Sequence, residues 1–483
     1  MNGILPVFYG EQIRAAEERA FAITAPGELM QRASFALGVG CASALEEIYG
    51  RVYGTTAVIV VGPGNNGADA LYAGAYLAKR GVKVTAHCAV PGVFHPEGMR
   101  AFMSAGGLMA DCIGQDFDLV VDGIAGLGSG RPVNTTLAHW INTQAFVVSV
   151  DIPSGVNADT GECSLDSSVH ADLTFTFGAL KPGVVLSPGS ESAGEVEIVD
   201  IGLELSEIPD LCVMLPEAAE EFLGPPQFDA YKYSRGVVGI AAGSRAYPGA
   251  AQLTVLGAEY TGVGMVMFAD IGDFESGIIQ EFPQVVMANS TSPRVTAWGV
   301  GPGFSGTDSE YEFLTQILSG SLPVVLDAGA LTAVAQSADL RAVVQTRSAL
   351  TVVTPHVGEF RQLFPDLGDP TWVNVRHAAK TLNAIVVAKG PRTIMCDPGG
   401  SSFVDIEGTS ALATAGSGDV LTGNIAGLLA AHAEQVEQSV SRALEVVAAG
   451  VWMHGRAGRI AADSTVTPTA VDIGLACAEV RTG

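Results

Sequence analysis

The sequence has few basic residues, with 25 lysines and arginines against 51 acidic residues in 483 positions. Both portions of the chain, 1–205 and 206–483, are acidic, so neither offers the basic surface with which nucleic-acid-binding proteins neutralise phosphates. Apolar runs are also short, and none approaches the roughly 18 residues that a membrane-spanning helix needs. We therefore expect neither a nucleic acid nor a membrane as a partner.

Cysteine is sparse, with seven scattered residues and no CxxC pair. An odd number at loose spacing predicts reduced thiols in a cytoplasmic protein. The first twenty residues lack a basic start followed by an apolar stretch and a cleavage site, so we expect no signal peptide. Histidines are dispersed without an HExxH pattern, which gives a zinc site little support.

Alternation of β-rich and helical stretches dominates the rest of the sequence. Strands are predicted at 56–61, 82–90, 118–122, 146–151, 171–179 and 194–202, and again at 237–244, 264–270, 294–303, 322–328, 349–355 and 384–390. Such alternation predicts parallel sheets covered by helices on both faces. We therefore expect an α/β fold with two doubly wound domains, 1–205 and 206–483. Residues 203–236, which contain Pro225-Pro226, are interpreted as a connection.

A glycine-rich loop follows the first of these strands. Gly62, Gly64 and Gly67 in VGPGNNGAD satisfy G-x-G-x-x-G between a strand and a helix, so the N-terminal domain is predicted to be Rossmann-like. A dinucleotide-dependent dehydrogenase would place an acidic residue at the end of the next strand to bind a ribose. The corresponding HCAVPG has none, which disfavours a dehydrogenase.

Polar residues lie at the carboxyl ends of three predicted strands of this domain: Asn66, Asp122, and Asp151 with Ser154. Ligands of parallel α/β sheets bind outside these ends, so the four side chains should converge. Asp122 beside amide and hydroxyl oxygens suits a weakly charged hard cation. Asp151 is a candidate acid/base group. The structural alternative is that these residues only cap helices and turns.

Several stretches also occur in the order typical of one family, namely EQIRAAE, LMQRA, GPGNNGADALYAGAYLAKRG, VVDGIAGLGSGR and VDIPSGVNADTG. Over about residues 8–205 the chain resembles the NAD(P)H-hydrate epimerases. The resemblance implies a first substrate loop of Asn65, Asn66, Gly67, Ala68 and Asp69, a second of Gly126, Leu127, Gly128, Ser129, Gly130, Arg131 and Pro132, and Asp151 as a substrate-binding acid. It further implies that Asn66, Asp122 and Ser154 hold a potassium ion. Ala68 and Ala70 stand where the family often has glycine.

A second glycine-rich loop, in TAGSGDVLTGNIAGLL (414–429), precedes a predicted helix. Free backbone N–H groups and the helix dipole at such a place attract phosphate. Asp419 at the end of the loop could take a proton from a hydroxyl that attacks a phosphoryl group. Lys389 lies at another strand end, and His356 lies at a third. A capped turn, an ordinary strand-end lysine and a hydrogen-bonded loop histidine are the structural alternatives. No Walker A motif is present.

The stretches KYSRG, GSRAYPGAA, GPG, VLDAGAL, TPHVGEF, VAKGPRT and LATAGSGDVLTG follow one another in this half. Over about residues 212–480 the chain resembles the ADP/ATP-dependent NAD(P)H-hydrate dehydratases of the ribokinase-like superfamily. The resemblance implies that Ala250, Gly303 and His356 contact the hydrated nucleotide, that Lys389, Gly390, Pro391, Arg392, Thr393, Gly416, Ser417 and Gly418 bind ADP or ATP, and that Asp419 is the catalytic acid/base. Thr409 and Ser410 replace the Asn-Pro pair that the family often has.

Each half thus resembles one step of the same repair. The predicted function is a bifunctional enzyme that interconverts the R and S hydrates of NADH and NADPH (NADHX and NADPHX) and dehydrates the S form with ADP or ATP and Mg²⁺. The alternatives are a ribokinase-like small-molecule kinase with a regulatory domain, and a non-enzymatic nucleotide-sensing module. We also expect a homo-oligomer.

Overall fold

The computed structural model describes residues 3–110, 114, 116–127, 130–205, 209–271 and 275–481. The chain forms two compact units. Residues 6–209 form one, called the N-terminal domain below, and residues 1–5 join 210–483 in the other, the C-terminal domain. The sequence-based division placed residues 1–5 in the first domain and the boundary after residue 205. The structure differs because the first five residues pack with the second unit.

The elements up to residue 205 are given first. The strands are β1 (Ile4–Val7), β2 (Thr56–Val61), β3 (Lys83–Cys88), β4 (Leu108–Met109), β5 (Leu119–Gly123), β6 (Val147–Val150), β7 (Leu173–Phe177) and β8 (Glu195–Val199). The helices are α1 (Gly10–Phe21), α2 (Glu28–Tyr49), α3 (Asn65–Lys79), α4 (Pro96–Ser104), α5 (Thr135–Asn142), α6 (Pro182–Val185) and α7 (Gly189–Ala193), with a 3₁₀ turn at Leu165–Ser167.

The sheet of the N-terminal domain has the order β4-β3-β2-β5-β6-β7-β8, and its strands pair in parallel. Strand β5 is buried along its whole length, as expected for a parallel sheet covered on both faces. The chain winds from β2 toward β4 in one direction and from β5 toward β8 in the other. The point where the winding reverses, between β2 and β5, is where doubly wound sheets open a crevice for ligands.

The elements of the C-terminal domain follow. The strands are β9 (Leu211–Met214), β10 (Val237–Ala241), β11 (Met265–Phe268), β12 (Val286–Met287), β13 (Ala297–Val300), β14 (Val324–Leu326), β15 (Thr351–Val353), β16 (Ile385–Ala388), β17 (Ile394–Cys396) and β18 (Ser402–Val404). The helices are α8 (Pro216–Leu223), α9 (Pro248–Glu259), α10 (Glu275–Glu281), α11 (Asp308–Leu318), α12 (Gly329–Gln336), α13 (Ala338–Thr346), α14 (Val357–Leu363), α15 (Trp372–Leu382), α16 (Ser417–Ala431), α17 (Ala433–Gln438), α18 (Val440–Ser464) and α19 (Ala470–Val480), with a 3₁₀ turn at Ser410–Leu412.

The sheet of this domain has the order β1-β9-β18-β17-β16-β15-β14-β13-β10-β11-β12. The strands from β10 to β16 pair in parallel, and β17 is antiparallel to both of its neighbours. Its winding reverses between β10 and β13, so the loops after β10, β13, β14, β15 and β16 lie along one edge. Helix α16 crosses the middle of the domain, and its residues from Val420 to Ala430 are buried.

The predicted connection over 203–236 is the main difference from expectation. It contains β9, which pairs in parallel with β18, and helix α8, which begins at Pro216. A strand of four residues gives a weak local pattern, and its partner lies almost two hundred residues further along the chain. The alternating α/β pattern elsewhere is confirmed. In the described parts of the chain, the helices are all too short or too polar to cross a bilayer.

Candidate active sites

The glycine loop of the N-terminal domain closes tightly between β2 and α3. A Cβ atom on Gly67 would lie 2.1 Å from the carbonyl oxygen of Gly62, so only glycine permits this turn. The turn places Asn66 on the first turn of α3, where its Nδ2 donates to the carbonyl oxygens of Ala125 at 3.0 Å and Val150 at 2.6 Å. These bonds tie the segments that follow β2, β5 and β6 together.

Asp122, at the end of β5, is fully buried and lies in direct contact with Ser154. Its Oδ1 accepts from the Ser154 hydroxyl at 2.6 Å, and its Oδ2 accepts from the Ser154 backbone N–H and the Ser149 hydroxyl, both at 2.9 Å. Burial raises the pKa of Asp122, and these hydrogen bonds oppose the rise. The Ser154 hydroxyl in turn accepts from the Ala125 N–H at 3.0 Å, which links Asp122 to the segment that holds Asn66.

Asp151 follows β6 with a left-handed backbone, at φ 68°. Its Oδ1 lies 2.6 Å from the Nζ of Lys181, whose side chain is completely buried. The same ammonium donates to the Thr176 hydroxyl at 3.0 Å and to the Phe177 carbonyl at 2.6 Å. Sequence reasoning missed Lys181. The signal available was composition, because lysine occurs only six times in the chain and here it follows a buried strand.

A cavity of about 520 Å³ opens at this edge of the N-terminal sheet. Its lining includes six predicted site residues, Asn65, Asn66, Asp69, Gly126, Leu127 and Asp151, and also Lys181. Helix α1 contributes Glu17, which was not predicted. Burial and the charge of Asp151 raise the pKa of Glu17, while Lys181 and Arg14 lower it.

Other predicted residues of the two substrate loops are placed differently. Gly67 and Ala68 are buried in α3 and do not line the cavity. Gly130, Arg131 and Pro132 belong to the second loop but do not line the cavity. Gly128 and Ser129 lie outside the described residues. Ala70, at one of the positions where glycine was expected, is buried. A Cβ atom on Gly123 would lie 2.5 Å from the Cβ of Ala70.

In the C-terminal domain, Asp419 lies on the first turn of α16. Burial raises the pKa of this carboxyl to about 7, with a further rise from Asp327 and Glu359 and an opposing effect of Lys389. A carboxyl that titrates near neutral pH and lies at a helix N-terminus suits acid/base work. The loop before it turns at Gly416, which has a φ of 89°.

Lys389 interacts electrostatically with Asp419 and contacts two further carboxylates. Its Nζ lies 2.7 Å from Asp327 Oδ1 and 3.9 Å from Glu359 Oε2. Burial alone would lower the pKa of Lys389, but these two carboxylates outweigh it and raise the pKa. Asp327 Oδ2 accepts from the Thr422 hydroxyl at 2.8 Å, so Asp327 joins the lysine loop to α16. The sequence contained Asp327 and Glu359 in its motifs, but no role was predicted for them.

The remaining predicted substrate contacts also lie at the ends of the central strands. His356 precedes α14 and caps it, since its Nδ1 accepts from the Gly358 N–H at 2.9 Å. Its backbone pairs with that of Lys389. A Cβ atom on Gly303 would lie 2.7 Å from the Cβ of Ala250, so the loop after β13 meets the first turn of α9.

The predicted nucleotide loops meet beside Lys389. A Cβ atom on Gly418 would lie 3.3 Å from the Lys389 Nζ. Buried His454 supports the glycine loop from α18, because its Nε2 lies 2.9 Å from the Ser417 carbonyl oxygen. Burial lowers the pKa of His454 to about 4, so it is neutral at physiological pH. In the other loop, Arg392 donates to the Ile406 carbonyl at 2.7 Å. Gly390, Pro391 and Thr393 complete that loop, where the Thr393 hydroxyl lies 3.5 Å from the Gly390 carbonyl.

Comparison with known proteins identifies the family. A family described as NAD(P)H-hydrate dehydratase matches residues 238–477, and one described as YjeF-related protein N-terminus matches residues 26–183. A bifunctional NAD(P)H-hydrate repair enzyme Nnr of Mycobacterium tuberculosis is 39% identical over 427 residues, covering 87% of this chain and 88% of that protein. The chain belongs to the bifunctional NAD(P)H-hydrate repair enzymes.

Two further proteins are similar to this chain. The enzyme of the same name from Mycobacterium leprae is 37% identical and covers 93% of both chains. Among solved structures, an ADP/ATP-dependent NAD(P)H-hydrate dehydratase from Bacillus subtilis, co-crystallised with ATP and Mg²⁺, is 24% identical with a TM-score of 0.47. The match covers 55% of this repair enzyme and 96% of the Bacillus subtilis chain.

Proposed function

We propose that this chain carries out both steps of the repair of hydrated NADH and NADPH. The N-terminal domain interconverts the R and S hydrates, and the C-terminal domain dehydrates the S form with ADP or ATP. The observation that carries the proposal is that each domain has its own cluster of buried charged groups at the carboxyl ends of its strands. Asp151 and Lys181 form one, and Asp419, Lys389 and Asp327 form the other.

In the C-terminal domain, Asp419 takes the proton of the substrate hydroxyl. The hydroxyl oxygen attacks the terminal phosphorus of the nucleotide, and the bond between that phosphorus and the bridging oxygen breaks. Phosphate then leaves the ring carbon, and a proton leaves the adjacent carbon to restore the double bond. A pKa of about 7 lets Asp419 both accept and release a proton near neutral pH.

Residues around Asp419 bind the two substrates in this proposal. Lys389 and the backbone N–H groups of Gly416, Ser417 and Gly418 receive the phosphates, because the N-terminus of α16 attracts anions. The loop from Lys389 to Thr393 receives the rest of the nucleotide. Ala250, Gly303 and His356 contact the hydrated nicotinamide nucleotide.

Mg²⁺ accompanies the nucleotide in this proposal and offsets the charge of its phosphates. Within the described residues, there is no group of three His, Cys, Asp or Glu side chains that could hold a metal ion by itself. This fits an ion that is bound mainly by phosphate oxygens and water, as Mg²⁺ commonly is. Glu359 and Asp327, which face Lys389, supply the nearby carboxylates.

K⁺ is proposed for the N-terminal domain, held by Asn66, Asp122 and Ser154. The donor set fits a monovalent hard cation, because it combines one carboxylate with neutral amide and hydroxyl oxygens. Asp122 and Ser154 are in direct contact at 2.6 Å. The ion would hold the ends of β5 and β6 together and neutralise the buried charge of Asp122.

The test is recovery of NADPH from a mixture of R and S hydrates with ADP, ATP or neither, in the presence of Mg²⁺ and K⁺. Full recovery with one nucleotide is expected, and it identifies the phosphoryl donor. Recovery that stops at the S fraction would contradict the epimerase half. A stable phosphorylated product from an ordinary alcohol would favour the kinase alternative, and binding without turnover would favour the sensing module. Assembly as a homo-oligomer and a cytoplasmic location remain predictions.

A further inference from the structure

Asp69 is a buried carboxyl whose local structure gives it no evident role. It lies on the second turn of α3, beyond the positions at which an acidic residue caps a helix. Its side chain lines the cavity of the N-terminal domain and is 5% exposed. Among the residues that the structure describes, nothing forms a hydrogen bond with its Oδ1. A buried polar atom without a partner is costly, so its retention calls for a functional reason.

The charged groups around Asp69 do not neutralise it. Asp151 and Glu17 are both acidic, and burial together with their charges raises the pKa of Asp69 well above its usual range. Lys181 is buried and lines the same cavity, but its ammonium already donates to Asp151, Thr176 and Phe177. Arg14 at the cavity rim donates to the Leu127 carbonyl. Burial and the two neighbouring carboxyls therefore favour the protonated form of Asp69, beside a carboxylate that is paired with a lysine.

We infer that Asp69 is a catalytic residue of epimerisation, and that it exchanges a proton with the substrate hydroxyl while Asp151 serves the incoming water. This inference rests on the proposed epimerase function of the N-terminal domain. It assigns Asp69 chemistry in addition to the substrate contact that the family resemblance implies.

The chemistry follows from where water adds to the ring. Hydration of an enamine places the hydroxyl on the carbon bonded to the ring nitrogen. Asp69 donates its proton to that hydroxyl, the carbon–oxygen bond breaks, and water leaves as the nitrogen lone pair forms an iminium. A second water adds to the opposite face and gives its proton to Asp151. One water leaves and one enters, the proton taken up by Asp151 returns to Asp69 through solvent, and the reverse reaction uses the two carboxyls in exchanged roles.

The first experiment compares full-length wild-type protein with D69N. Asparagine has the same shape but cannot donate a carboxylic proton. We expect the kcat of epimerisation, followed by chromatographic separation of the two hydrates, to fall by about 10²–10⁴, the usual contribution of a general acid. Dehydration of pure S hydrate by the C-terminal domain is expected to be unchanged. D172N is the matched control, because Asp172 accepts a bond from the Val147 N–H at the opposite edge of the sheet.

Two further readouts separate catalysis from structure. In water labelled with ¹⁸O, the wild type should introduce one labelled oxygen for each epimerisation, and D69N should lose this exchange in step with its rate. The wild-type rate should decline as rising pH removes the proton of Asp69, and D69E should retain both the decline and part of the rate. A changed KM with an unchanged kcat in D69N would overturn the inference, as would epimerisation without ¹⁸O incorporation. A wild type that does not accelerate epimerisation would overturn the proposed function and this inference with it.

Discussion

The ammonium of Lys181 lies 2.6 Å from the carboxylate of Asp151, and both side chains are buried. Removing one partner of such a pair leaves an uncompensated buried charge, which costs about 3–5 kcal/mol. We expect K181M to lower the free energy of unfolding of the N-terminal domain by that amount, measured in urea. The double variant K181M/D151N should recover part of the loss. Equal destabilisation by the single and double variants would contradict the charge argument.

Asp419 is expected to separate the two activities. D419N removes the proton acceptor of the C-terminal domain, so dehydration of S hydrate should fall by about 10²–10⁴. Epimerisation, measured on the same preparation, should be spared. D151N should show the reverse pattern. Full dehydration by D419N would reject the assigned catalytic group.

The pH profile of dehydration reports the environment of Asp419. A base is active when deprotonated, so kcat/KM should rise with pH and level off above a pKa of about 7. Lys389 lowers this pKa, so K389M should move the inflection to higher pH. K380M, which changes an exposed lysine on helix α15, is the control. An unmoved inflection in K389M would contradict the coupling between Lys389 and Asp419.

Two glycines of the first loop should respond differently to the same added methyl group. A Cβ on Gly67 meets the Gly62 carbonyl oxygen at 2.1 Å, whereas a Cβ on Gly64 meets no described atom within 4 Å. G67A should lower the Tm of the N-terminal domain by several degrees, since overpacking typically costs about 1–3 kcal/mol. G64A should leave the Tm nearly unchanged. Equal effects in a thermal unfolding experiment would contradict the described turn.

Binding of K⁺ should stabilise the N-terminal domain directly. A ligand that binds only the folded state raises stability with its concentration, so K⁺ should raise the Tm by a few degrees relative to choline. D122N should remove the response, because it deletes the single carboxylate of the proposed donor set. S168A, at a serine that contacts Ser192 elsewhere in the domain, provides the control. A wild type indifferent to K⁺ would reject the site.

Much of the fold was predictable from local patterns. Buried parallel strands such as β2 and β5 are apolar runs between helical stretches, so the alternation was visible in the sequence. The segments that depend on distant partners were not predictable from local patterns. Strand β9 has four residues and is defined by β18, and residues 1–5 pack with a domain that begins two hundred residues later. Such pairings leave little trace in local periodicity.

By itself, the sequence determined the α/β class, the two glycine loops, and the positions of Asp122, Asp151 and Asp419 at strand ends or beside a helix start. Strand ends can be read locally because burial imposes an apolar run that stops at a polar residue. Only the tertiary structure decided which charges share a space. It paired Lys181 with Asp151 and Lys389 with Asp327, and among the described residues it left the Oδ1 of Asp69 without a hydrogen-bond partner. Ionisation and acid/base chemistry depend on burial and on nearby charges, and the fold brings these together from separate parts of the chain.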